Sequence, residues 1–308
     1  MAEIYDVIII GGGPAGLTAA LYSGRARMKT LLLEKATTGG QAATTDSIEN
    51  YPGFPAGIGG FELTEKMKQQ AVEFGAEIQE IKSVEGLDVD GEQKVVAIED
   101  GFFRSRSVII ATGAESRKLD IPGVEEFHGK GVSYCATCDG AFYRDRVVAV
   151  VGGGNSAVEE ALFLTRFASK VYIIHRRDEL RADKILRERA IDNSKVVIIW
   201  DSHLKKIVGN GKVEQMVVEN KNSHDRNEYA VDGVFFYIGT VPNTEFCEGL
   251  IKLDGREYIL TDESLQTSVP GIFACGDCRA NLLKQVAVAV GEGALAAVQA
   301  EKYVEETA

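Results

Sequence analysis

The chain has 308 residues, 45% of them hydrophobic, and a formal net charge of −12 at pH 7. That length allows about two domains with sizeable cores. The acidic balance argues against a nucleic-acid or anionic-membrane partner, because neutralising phosphates takes clustered Lys and Arg. No run approaches the roughly 20 apolar residues of a transmembrane helix.

Short β-branched runs alternate with helical patterns, which is the mark of an α/β protein with parallel sheets. Ile4–Ile10 reads as a strand ending in a glycine cluster. It lacks the basic flank and cleavage site of a signal peptide, so a cytoplasmic setting is expected. Pro14–Arg27 reads as a helix and Thr30–Glu34 as the next strand, followed by an irregular Gly/Pro/Thr-rich stretch from Thr37 to Gly60. Phe61–Gly75 is helical, with Leu63, Met67, Ala71 and Phe74 on one face. Strand patterns follow at Val84–Val89, Val95–Ile98 and Val108–Ala111.

The pattern then restarts with a strand at Val147–Val151, a helix at Ala157–Phe167 and a strand at Lys170–His175, an internal repeat of the first unit. Val196–Trp200, Lys212–Glu219 and Val234–Ile238 supply further strands. Pro-containing turns at Leu119–Gly123 and Thr240–Asn243 mark the boundaries. What remains is short for a core of its own, with one strand at Gly271–Ala274 and one helix at Lys284–Tyr303. It is expected to return and complete the first domain. The fold class is therefore two Rossmann-like dinucleotide-binding domains of three-layer type, the second inserted into the first: residues 1–117 with 245–308, and residues 118–244.

Gly11-Gly12-Gly13-Pro14-Ala15-Gly16 sits between strand and helix. Gly11 permits the tight turn, Gly13 lets a pyrophosphate approach, and Gly16 allows helix and strand to pack closely. Phosphates would then rest on the positive end of the helix. Glu34 ends the next strand about 20 residues on, where a carboxylate meets an adenosine ribose. A second turn, Gly152-Gly153-Gly154-Asn155-Ser156-Ala157, occupies the same place in the repeat. Its next strand ends in His175-Arg176-Arg177, with Arg181 following. Guanidinium groups there can bind a 2′-phosphate bidentately, which points to NADPH over NADH; Arg187 and Arg189 read as a solvated helix face. Two dinucleotide sites in one chain suggest electron transfer between two cofactors, FAD and NADPH.

The five cysteines are Cys135, Cys138, Cys247, Cys275 and Cys278, and four of them fall in two C-x-x-C pairs. In a reducing compartment such pairs point to redox chemistry or metal more than to a static framework. Cys135-Ala136-Thr137-Cys138-Asp139 precedes the second glycine turn. Cysteines so spaced at a helix start can close a disulfide, and the helix dipole lowers the pKa of one thiol. Asp139 could relay a proton. A half zinc site or two buried thiols are the alternatives, and zinc would need two more ligands.

Over almost its full length the chain resembles the low-molecular-weight thioredoxin reductases. The resemblance is carried by Gly11–Gly16, Gly39-Gly40-Gln41, Ile110-Ala111-Thr112-Gly113, Cys135–Asp139, Gly152–Ala157, His175–Arg181 and Gly276-Asp277. Placement of the redox cysteines in the nicotinamide domain sets it apart from the glutathione-reductase type. The resemblance implies an NADPH-dependent flavoprotein that reduces the disulfide of thioredoxin. FAD would be held by Gly11, Gly13, Pro14, Ala15, Gly16, Glu34, Lys35, Gly40, Gln41, Asn50, Ala111, Thr112, Gly113, Gly276 and Asp277, with Gln285 and Val286 beside the flavin ring. NADPH would be held by Gly152, Gly154, Asn155, Ser156, Ala157, His175, Arg176, Arg177, Arg181 and Ile238. Cys138 would lie nearer the flavin and Cys135 would attack thioredoxin. The family implies a homodimer and domains that turn about their linkers. Cys275 and Cys278 flank Gly276-Asp277 where the family usually has apolar residues; simple packing is expected of them, with a second redox pair as the alternative, and Cys247 is expected to be inert. Rival readings are a reductase of a peroxiredoxin-linked or other small dithiol carrier, a flavin oxidoreductase with bystander cysteines, and a flavin scaffold with a C-x-x-C metal site.

Overall fold

The computed structural model describes residues 4–117 and 119–307. The chain forms two compact units, Met1–Glu115 with Val241–Ala308, and Ser116–Thr240. The divisions thus fall after Glu115 and after Thr240, a few residues before the expected ones. The expected bounds at residues 1, 118 and 308 lie outside the described residues.

In the first unit a seven-stranded sheet runs in the order Glu77–Glu80, Thr30–Glu34, Ile4–Ile10, Gly101–Ile110, Gln93–Ile98 and Val84–Asp90, with Ile272–Ala274 also pairing Gly101–Ile110. Ile4–Ile10 lies parallel to both neighbours, with Ile10 opposite Leu33 and Ile110. The hairpin of Val84–Asp90 and Gln93–Ile98 is antiparallel. Both faces of the parallel strands are buried, which is why they read as continuous Val/Ile/Leu runs. Alternate residues divide between the two faces: Val7, Ile9, Leu32, Ile109 and Phe273 on one, and Ile8, Ile10, Leu31, Leu33 and Ile110 on the other. The helices Pro14–Arg25, Gly60–Glu73 and Val286–Glu306 cover the first face.

The second unit carries a parallel five-stranded sheet in the order Val196–Ile199, Lys170–Ile174, Val147–Gly152, Gly233–Tyr237 and Val132–Ser133. The helices Asn155–Leu164 and Lys184–Asp192 pack on one face through Val158, Ala161, Leu164, Leu186 and Ala190. An antiparallel three-stranded sheet of Ser202–Gly209, Val213–Asn220 and Arg226–Ala230 packs on the other through Leu204, Ile207, Met216 and Val218.

Several expectations are corrected. The first helix stops at Arg25, because Arg27 takes a left-handed φ of 61°. The last helix runs Val286–Glu306, with Gln285 as its extended N-cap, so Lys284 lies outside it. The strand expected at Val108–Ala111 begins at Gly101, and its polar Ser105 and Ser107 are fully buried. The stretch from Thr37 to Gly60 contains a short helix, Gly40–Ala43, and an antiparallel bridge between Ile48 and Ile58. Among the described residues no helix is long and apolar enough to cross a membrane.

Candidate functional site

The first glycine turn follows Ile4–Ile10 and opens the helix Pro14–Arg25. A Cβ on Gly16 would lie 1.8 Å from the Gly11 carbonyl oxygen, and one on Gly11 would lie 2.4 Å from that of Ala111. Both positions are closed by the protein itself. Gly13 differs: nothing stands within 4 Å of a Cβ there. It is also the N-cap of a helix with no capping side chain and no acid in its first turn. The leading backbone N–H groups thus keep their donors for an anion, and the open flank at Gly13 lets one approach, so the cradle fits the pyrophosphate of FAD.

Around it, Glu34 accepts from the Gly12 N–H at 2.7 Å and the Ala36 N–H at 2.9 Å. The Gly39 N–H donates to the Gly12 carbonyl at 2.7 Å, and a Cβ on Gly40 would lie 3.2 Å from the Gly13 Cα. The segment Thr38–Gly40 therefore folds against the glycine turn. Glu80 anchors it, accepting from the Thr38 N–H at 2.8 Å, the Thr38 hydroxyl at 2.9 Å and Lys68 Nζ at 2.9 Å. These partners, the Thr38 N–H foremost, hold the Glu80 carboxyl down to about 2. Neither Thr38 nor Glu80 was found from the sequence, since their contact across 42 residues has no local motif.

Asn50 and Gln285 meet, Asn50 Nδ2 donating to Gln285 Oε1 at 2.9 Å; Val286 is half-buried and packs on the core beside them. Gln41 Nε2 donates to the Ala114 carbonyl. Lys35 instead pairs with Glu115 in an exposed ion pair, which worth little energetically still occupies its ammonium. Thr112 and Asn243 exchange hydrogen bonds at 2.7 and 2.9 Å, and Gly113 accepts from the Asn243 N–H at 3.1 Å. Asp277 lies in the 3₁₀ turn Gly276–Cys278. Burial raises its carboxyl above the usual range, Lys284 opposing and Glu292 adding to the push. Glu292 fixes this turn, accepting from the Gly276 N–H at 2.7 Å and Arg279 at 2.8 Å.

The second glycine turn repeats the first. Gly154 is an uncapped helix N-cap with nothing within 4 Å of a Cβ, whereas a Cβ on Gly152 would lie 2.3 Å from the Tyr237 carbonyl oxygen and 2.8 Å from Ala157 Cβ. The basic segment is tied to this turn. The Arg181 N–H donates to the Gly153 carbonyl at 2.7 Å, and Asn155 and Asp183 exchange hydrogen bonds at 2.9 and 2.8 Å. The Asn155 amide is thus taken up by Asp183. Arg176, Arg177 and Arg181 are exposed, as is Ser156, while Ala157 is buried and Ile238 half-buried. His175 is buried, its ring filling the space where a Gly153 Cβ would come within 2.2 Å of Nδ1. Burial depresses its pKa, and its ring supports the turn from beneath. The open Gly154 flank and the exposed guanidiniums fit a phosphorylated dinucleotide.

In the same unit Cys135 and Cys138 form a disulfide with Cα atoms 5.3 Å apart. Cys135 is the N-cap of the short helix Ala136–Asp139, and its sulfur accepts from the Cys138 N–H at 3.1 Å. Cys138 is exposed; Cys135 and Asp139 are half-buried. The remaining thiols are free and buried. Cys275 belongs to one apolar cluster and Cys278 with Cys247 to the other, on opposite faces of the sheet, so the second C-x-x-C does not form a pair. Burial pushes the Cys247 thiol to about 12 and the Cys278 thiol to about 11. Among the described residues no group of three or more His, Cys, Asp or Glu is placed to hold a metal ion.

Two dinucleotide turns and one disulfide at a helix start define a class of enzyme that carries electrons between a pyridine nucleotide and a disulfide. The family described as pyridine nucleotide-disulphide oxidoreductase matches residues 5–293. A thioredoxin reductase of Listeria monocytogenes is 51% identical over 99% of this chain and 95% of its own length, and one of Peptoclostridium acidaminophilum is 48% identical over 99% and 98%. The crystal structure of Lactococcus lactis thioredoxin reductase (FR conformation) superposes with a TM-score of 0.96 at 48% identity, covering 98% of this chain and 99% of that one. The chain belongs to the pyridine nucleotide-disulphide oxidoreductases and, within them, to the thioredoxin reductases.

Proposed function

We propose that this chain reduces the disulfide of thioredoxin at the expense of NADPH, through the Cys135–Cys138 pair. The observation that carries the reading is that this disulfide sits at a helix start in the same unit as an open glycine turn flanked by exposed arginines. Bound FAD would supply hydride acceptance from NADPH and delivery of two electrons to a disulfide.

In this reading the first unit holds FAD, and the second holds NADPH and the redox pair. The first-turn amides beside Gly13 and the side chains of Asn50, Asp277 and Gln285 bind and orient FAD. Those beside Gly154 bind the NADPH pyrophosphate, and Arg176, Arg177 and Arg181 bind its 2′-phosphate. Reduction breaks the Cys135–Cys138 bond and leaves two electrons on the sulfurs. The Cys135 thiolate then attacks the thioredoxin disulfide to give a mixed disulfide, and Cys138 displaces the reduced thioredoxin as its own bond to Cys135 re-forms. The Cys138 N–H at Cys135 Sγ stabilises the thiolate, and Asp139 moves the proton to or from the pair. A homodimer in the cytoplasm goes with this reading.

The test is a coupled assay with NADPH, a thioredoxin and a disulfide dye. Cys135→Ser and Cys138→Ser should each abolish dye reduction while NADPH still bleaches the flavin absorbance. Undiminished turnover in both variants would refute the assigned path.

A further inference from the structure

A C-x-x-C pair exchanges between disulfide and dithiol, and its balance depends on how firmly the turn keeps the two sulfurs within bonding distance. A pinned turn raises the effective concentration of one thiol at the other. Here the turn is held from outside at two adjacent residues, Cys135 and Ala136. In front of it, the Ser133 hydroxyl accepts from the Cys135 N–H at 3.0 Å and lies 3.3 Å from the Cys135 carbonyl oxygen. Ser133 is itself buried, in the strand Val132–Ser133.

At the next residue, the Ala136 N–H is one of the donors that a helix start leaves without an internal partner. It donates to Tyr237 Oη at 2.8 Å. Tyr237 is fixed by its own strand, pairing in parallel register with Gly152, and its carbonyl closes the space above that glycine. Burial, with the Glu160 charge adding to it, pushes the Tyr237 hydroxyl far above its ordinary value. The phenol therefore stays neutral and accepts the Ala136 N–H without giving up its proton.

We propose that Ser133 and Tyr237 are positioning residues that set the redox poise of the Cys135–Cys138 couple by holding its turn in the disulfide geometry. The inference rests on the reading of that pair as the exchanging centre. Closing the bond passes two electrons and two protons to glutathione disulfide, giving two glutathione thiols, and opening it takes them back from two glutathione thiols. A looser turn loses more on closing than on opening, so removal of either anchor favours the dithiol.

The flavin-loaded wild type, Tyr237→Phe and Ser133→Ala would be equilibrated in graded mixtures of reduced and oxidised glutathione, quenched in acid, alkylated and weighed by peptide mass spectrometry. Each variant should shift the couple about tenfold toward the dithiol, which for two electrons is about 30 mV upward. A purely structural role would lower the Tm and leave the couple in place. Values within twofold of wild type in both variants, or a shift toward the disulfide, would overturn the proposal. If Tyr237→Phe does not fold, Ser133→Ala decides alone. A wild-type pair that never exchanges would overturn the functional reading, and this inference with it.

Discussion

The two glycines of the nicotinamide turn should fail in different ways. In Gly154→Ala the new methyl meets no protein atom within 4 Å, and the backbone, with φ −91°, suits any residue. The protein loses only the N-cap preference for Gly over Ala, about 0.5–1 kcal/mol, which is a fall of roughly 1–2 °C in Tm for a chain of this size. The methyl does occupy the flank where the pyrophosphate would approach. Weakening one charge-assisted hydrogen bond there costs about 1.5–3 kcal/mol, or a Kd for NADP+ raised roughly 10- to 100-fold. In Gly152→Ala the methyl would sit 2.3 Å from the Tyr237 carbonyl oxygen, so the strand and helix must part and the Tm should fall far more. Calorimetric titration with NADP+ alongside thermal unfolding separates the two. An unchanged NADP+ affinity in a folded Gly154→Ala protein would refute the assignment of this turn.

Three further outcomes are expected. Neutral replacements of Arg176 and Arg177 should raise the KM for NADPH at least tenfold while changing that for NADH little; equal losses with both cofactors would remove the 2′-phosphate from these residues. The Glu80 carboxyl, at about 2 when folded, lies below its unfolded value of about 4.3. Its stabilisation is therefore complete above that unfolded value and is lost as pH falls toward 2. Denaturant melts of Glu80→Gln should show a stability deficit at pH 6 that closes on acidification, whereas a constant deficit would contradict the depressed value. After reduction of the native protein, an alkylating reagent should label Cys135 and Cys138 quickly and the buried Cys247, Cys275 and Cys278 only on unfolding; rapid labelling of all five would contradict the burial.

Much of this architecture was legible because the parallel strands are buried on both faces and their runs are short and β-branched, as in Ile4–Ile10 and Val147–Gly152. Among the strands that escaped reading were Ser202–Gly209 and Arg226–Ala230, where solvent-facing Lys, His, Arg and Glu dilute the apolar signal. Glu77–Glu80 was hidden for the same reason. At the site, the fingerprint glycines were readable because their conformations are local. The partners that hold the turns were not: Glu80 for Thr38, Glu292 for Gly276 and Tyr237 for Ala136 are distant in sequence and share no motif. His175 was expected as a cofactor ligand among basic residues, but its sequence neighbourhood could not show that its ring lies beneath Gly153.

The first unit draws on both ends of the chain: Ile272–Ala274 completes its sheet beside Gly101–Ile110, and Gly293 in the last helix lets that helix close to within a Cβ distance of 2.2 Å of the Ala15 carbonyl oxygen. During synthesis, the inserted unit therefore leaves the ribosome whole while its host still waits for a strand and a helix. The nicotinamide half can mature first, and the flavin half must keep its unfinished sheet edge and the apolar flank of Pro14–Arg25 out of trouble until Ile272–Ala274 and Val286–Glu306 have emerged.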